Sequence, residues 1–101
     1  MTKKHQKKLT EIASKIYDLA TIEIQNYLNE TYGDNPGNTF ANQIEDFHVI
    51  ADEVSAFLMG NAMALTHESC WDDDLKTLGQ HVRKVATYAA SKQQAELGPK
   101  H

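Results

Sequence analysis

Glu45-Asp46-Phe47-His48 is the closest approach to a metal site in this 101-residue sequence. Residues three apart share a helix face, so the Glu45 carboxylate and the His48 imidazole could grip one ion together. The same Glu-x-x-His step builds di-iron carboxylate bundles, which use two such pairs and a Glu from each of two further helices. One chain supplies one pair; a two-fold dimer would supply two. Glu23 lies about as far before the loop near residue 35 as Glu45 lies after it. A helical hairpin would therefore set Glu23, Glu45 and His48 at similar height, a ligand set suited to iron or manganese. Against this, Glu45 and His48 sit beside the apolar seam, not on it. Asp52, four residues after His48, also offers the imidazole an ordinary surface partner. The metal centre is thus the alternative reading, and the leading expectation is a protein with no cofactor.

His67-Glu68-Ser69-Cys70 has the local look of a thiol site. A nucleophilic cysteine needs its thiolate favoured, which a helix start and a nearby His can do. Here Glu68, Asp72, Asp73 and Asp74 crowd the thiol with negative charge, and no orienting group or oxyanion donor accompanies it. Cys70 is expected to be a small packing residue; as the lone cysteine it excludes an internal disulfide. Glu45, Asp46, Asp52 and Glu53 have the wrong spacing for stacked magnesium-binding turns. No glycine-rich phosphate loop, catalytic triad order or dinucleotide fingerprint is present.

Charge is segregated along the chain. Five lysines against Glu11 make residues 1–15 net +4, twelve acids against Lys76 make residues 16–81 net −11, and residues 82–101 return to +3. Arg83, Lys84, Tyr88 and Lys92 form a short basic strip with an aromatic, but a formal net charge of −4 opposes duplex binding by electrostatics alone. Direct nucleic-acid binding is not expected. The acids fit better as a partner-binding surface, with Glu45, Asp46, Asp52 and Glu53 in one group and Asp72, Asp73 and Asp74 in another.

The elements that position these residues are helical throughout. Helix one is expected from about Lys8 to Tyr32, with residues 1–7 as a basic, frayed or helical extension. Its stripe runs through Leu9, Ile12, Ile16, Leu19, Ala20, Ile24, Tyr27 and Leu28. Pro36-Gly37 suits the centre of a type II turn, and Asn38 or Thr39 the N-cap of helix two. Helix two, ending near Thr66, has a clean seam of Phe40, Ile44, Phe47, Ala51, Val54, Leu58, Ala62 and Leu65. Ile50, Phe57, Met59 and Met63 make a second apolar shoulder. Ser69-x-x-Asp72 reads as a capping box opening helix three. Its seam is Trp71, Leu75, Leu78, Val82, Val85 and Ala89, and residues 98–101 form a tail after the Gly98-Pro99 stop. His67, at the end of the preceding helix, would be favourable there if protonated. Gly60 and Gly79 are read either as letting two backbones approach or as merely tolerated inside their helices.

The expected fold is all-α, a single domain over residues 1–101: an antiparallel bundle of three long helices completed by homodimerisation. Such a chain buries roughly 65% of its unfolded surface. The up-down-up topology sets the basic start of helix one beside Glu68 and Asp72–Asp74, and Lys92 and Lys100 near Glu30 and Asp34. No apolar run approaches the roughly 18 residues that span a bilayer, so a cytoplasmic location is expected. The expected function is non-enzymatic: a small acidic accessory or inhibitor protein that occupies a protein partner. By analogy of class alone, that profile is shared by phage- and plasmid-encoded effectors that block nucleic-acid-handling host or defence complexes, in some cases by acidic mimicry.

Overall fold

A computed structural model of the chain describes residues 1–33 and 36–97, with side chains described at 1–33 and 39–94. Three α-helices account for nearly all of it: α1 (Lys3–Tyr32), α2 (Pro36–Met63) and α3 (Trp71–Leu97), with a 3₁₀ turn at Glu68–Cys70 before α3. There is no strand among the described residues. Contacts divide the chain into one unit of residues 1–55 and a second from residue 56 onward.

Residues 3–7 belong to α1 from its first turn. Thr2 is the N-cap: its backbone is extended and its hydroxyl accepts from the His5 N–H at 3.1 Å, satisfying one of the free donors of the helix start. At the other end Gly33 takes φ +51° and donates to the Asn29 carbonyl at 2.9 Å. That left-handed value suits glycine, which has no Cβ to clash.

Pro36 and Gly37 do not form the expected type II turn; they are the first residues of α2. Proline is well placed there, because its missing N–H would have had no partner and its φ is already helical. The helix therefore starts before the expected caps at Asn38 and Thr39. Asp34, Lys100 and the Gly98-Pro99 stop lie outside the described residues.

In the first unit α1 and α2 form an antiparallel hairpin. Half-burial runs backward along α1 through Tyr32, Leu28, Ile24 and Ala20, and forward along α2 through Thr39, Gln43, Asp46 and Ile50. The α2 row has helical spacing of four, three and four, so it is one face. It is not the expected seam. Phe40, Ile44, Phe47 and Val54 are exposed, and of the seam residues in this unit only Ala51 is half-buried.

The second unit contains the end of α2, the 3₁₀ turn and α3. Met59 and Met63 on α2 and Trp71, Asp74 and Leu78 on α3 are half-buried, while Leu58, Leu65, Leu75, Val82 and Val85 are exposed. The last turn of α2 tightens: Ala64 still donates to Gly60, but Leu65 and Thr66 donate to Ala62 and Met63. The Met63 carbonyl also accepts from the Thr66 hydroxyl at 2.9 Å and the Trp71 indole N–H at 2.8 Å.

The capping box at Ser69 does not form. Ser69 lies inside the 3₁₀ turn, and His67 is its cap: His67 Nδ1 accepts from the Ser69 N–H at 3.1 Å and lies 2.8 Å from Ser69 Oγ. The imidazole thus serves as the cap of the 3₁₀ turn through Nδ1, a role the sequence had not suggested for it. Asp72, Asp73 and Asp74 do occupy the first turn of α3, where the helix dipole favours them.

Nothing approaches Gly60 or Gly79. A Cβ built on either meets no heavy atom within 4 Å, so no close backbone contact among the described residues requires them. Gly79→Ala is therefore expected to raise stability by about 1 kcal/mol through helix propensity and a less flexible unfolded chain. Thermal unfolding followed by circular dichroism checks this, and a drop in melting temperature would contradict it.

Candidate interaction surface

The apolar residues picked out by helical spacing are present on the helices, but they are not inside. No described residue is buried, apolar or polar. The accessible surface is 9117 Å² for a chain of 11.4 kDa.

The roles expected for the two apolar rows of α2 are exchanged. Ile50, Met59 and Met63, read from the sequence as surplus surface, are half-buried; Phe57 of the same shoulder remains exposed. Phe40, Ile44, Phe47, Val54, Leu58 and Leu65, read as the core seam, are exposed. On α1 the stripe is half-buried only at Ala20, Ile24 and Leu28, and Leu9, Ile12, Ile16 and Leu19 are open.

The reason for the exchange in the first unit is polar. Asp46 Oδ2 accepts from the Tyr27 hydroxyl at 3.0 Å and from the Tyr32 hydroxyl at 2.5 Å. Two phenols from the last turns of α1 thus converge on one carboxylate of α2, within the half-buried Gln43–Asp46–Ile50 row. Hydrogen bonds to a carboxylate are stronger than neutral ones, which favours burial of the row that carries Asp46. The Tyr32 phenol is pushed up to about 12, first by its bond to Asp46, then by desolvation, then by the negative charge nearby. Sequence reading missed this clasp. Its signal was available: two tyrosines five apart near the end of one helix, and an acid inside the apolar run of the next.

Among the acids expected to meet a partner, Asp46 is half-buried and engaged by the two phenols, and Asp74 is half-buried in the second unit. Glu45, Asp52 and Glu53 in the first unit, and Asp72 and Asp73 in the second, are exposed. Within each unit these residues remain available to another molecule.

Glu23, Glu45 and His48 are all exposed. Among the described residues no three His, Cys, Asp or Glu side chains are grouped so as to hold a metal ion, so this trio is not brought together within one chain. Cys70 is exposed, contrary to the packing role expected of it. Lys3, Lys7 and Lys15 line one side of α1 together with Gln6, Thr10, Glu11 and Ser14. Arg83, Lys84 and Tyr88 border a separate open groove on α3 with Gln80 and Thr87. Among the described residues no helix is long and apolar enough to cross a membrane.

The chain matches no protein-family model, no curated protein and no solved structure.

Proposed function

We propose that this chain is a non-enzymatic interaction protein whose open apolar rows are covered by other protein, in the first place by a second copy of itself. In this reading the three helices stack up-down-up and the bundle is completed as a homodimer, with the exposed acids left free to engage a further protein partner. The observation that carries it is the lack of any buried residue among those described, combined with exposed aromatic and aliphatic side chains at regular helical spacing. Soluble monomers rarely leave contiguous apolar surface of this extent uncovered. The acidic middle segment supports an accessory or inhibitor role by surface occupation, in a cytoplasmic setting, including mimicry of a polyanion toward a nucleic-acid-handling complex.

Native mass spectrometry of the untagged protein tests the self-association. A dimer or larger assembly at micromolar concentration is expected; a folded monomer at that concentration overturns it. Lysine at Asp72 and Asp73 together is expected to leave the assembly intact and to weaken capture of a true partner about tenfold or more, since like charges at an interface repel. Unchanged capture by that double variant would remove these acids from the partner surface.

A further inference from the structure

We propose that the joint between α2 and α3 is a proton-operated switch whose moving part is the His67 ring. All of its parts lie in the second unit. The 3₁₀ turn at Glu68–Cys70 is held by backbone bonds, from the Cys70 N–H to the His67 carbonyl at 2.9 Å and from the Trp71 N–H to the Glu68 carbonyl. It is also held by the Ser69 N–H, which donates to His67 Nδ1 at 3.1 Å. Of these bonds, the last alone ends on a group of the type that changes charge between about pH 5 and 8. An imidazolium carries N–H on both ring nitrogens and accepts at neither, so protonation removes this acceptor. The Ser69 hydroxyl, 2.8 Å from Nδ1, can turn and accept from the protonated ring, but the Ser69 N–H cannot reverse.

Charge then directs the ring elsewhere. The turn runs straight into α3, so a cation at its start faces the positive end of a helix. Four residues before His67 stands Met63, at the carbonyl end of α2, where a cation is favoured. From Ala56 to Met63 that helix carries no titratable side chain. The titratable groups that follow His67 are Glu68, the Cys70 thiol, Asp72, Asp73 and Asp74, and the nearest lysine or arginine in the sequence is Lys76, in the second turn of α3. No cation of the joint therefore opposes a charged imidazole. The neutral ring closes the turn; the protonated ring leaves it for the carbonyl end of α2. The turn is closed above the histidine transition and released as pH falls through it.

A nuclear magnetic resonance titration of the full-length chain from about pH 7.5 to 5.5 tests this, following the His67 ring protons and the solvent protection of backbone N–H groups. Protection of the Ser69 N–H, corrected for the intrinsic pH dependence of exchange, is expected to fall about fivefold through the His67 transition. The Cys70 N–H should lose protection at the same midpoint, although its own acceptor does not titrate, because the turn opens as a unit. His67→Asn offers an acceptor that takes up no proton in this range, and is expected to keep both groups protected throughout. His67→Ala is expected to hold both at the lower level throughout, and His81→Gln, in the same unit, to leave the transition in place. Cys70 protection that stays level while His67 titrates overturns the switch, as does a fall that persists in His67→Asn.

Discussion

Asp46→Ala is expected to lower the Tyr32 phenol from about 12 toward the ordinary value of 10.0 by removing the largest cause of its rise, and to loosen the hairpin of α1 and α2. The 2.5 Å bond exists only while Tyr32 keeps its proton, since a phenolate could not donate and would repel the carboxylate. The raised value marks the protonated phenol as the form the folded hairpin favours. Its contribution to stability is therefore complete below pH 10.0, and is lost as pH rises through about 12. Alkaline titration followed by phenolate absorbance should show one of the four tyrosines ionising late in the wild type. In Asp46→Ala that step should move earlier, by up to about 100-fold in proton affinity. Asp46→Asn keeps an acceptor without the charge and should lie between the two. A late step that persists in Asp46→Ala would remove the carboxylate as its cause. Hydrogen exchange gives the structural counterpart, with protection expected to fall along the half-buried rows of the hairpin.

Trp71→Ala should lower the stability of the second unit by about 2–3 kcal/mol, and Trp71→Phe by about 1 kcal/mol. The difference between them separates ring from N–H. The indole N–H donates at 2.8 Å to the Met63 carbonyl, which belongs to the last turn of α2 and has no onward helix to satisfy it. Thr66 supplies two further donors to the same oxygen, so the phenylalanine variant loses one bond of three and not the whole cap. The alanine variant also loses the half-buried ring, whose incomplete burial keeps the loss below the 3–5 kcal/mol typical of a core tryptophan. Urea midpoints read by helical circular dichroism distinguish the cases. If Trp71→Phe unfolds where the wild type does, the indole is not a cap.

Helix number and helix type were legible because local spacing determines them. Nearly every apolar residue recurs at three and four, and the one cluster of turn residues lies between α1 and α2. Boundaries were less legible where a residue has two valid uses. Pro36 suits a turn or a first helical position, and the choice depends on what the chain does after it. Ser69 and His67 both offer a cap, and the imidazole nitrogen took it once the 3₁₀ turn closed. The candidate acids were legible as exposed groups at Glu45, Asp52, Glu53, Asp72 and Asp73. Asp46 was not distinguishable from Glu45 beside it until α1 brought Tyr27 and Tyr32 to it.

The sequence by itself determined that this protein is helical, that its charge is divided into basic ends and an acidic middle, and that each helix carries an apolar row. These properties follow from composition and from the 3.6-residue repeat, and need no neighbour to be defined. Tertiary structure alone decided which row meets the chain's own helices and which faces outward. The two rows of α2 differ by about one residue in phase, and in the first unit the half-buried one, Thr39, Gln43, Asp46 and Ile50, is the less apolar, so burial energy alone does not select it. Directional bonds do: two phenols on one carboxylate in the first unit, an indole on one carbonyl in the second. Such bonds depend on where side chains from distant positions arrive, and that is a property of the fold.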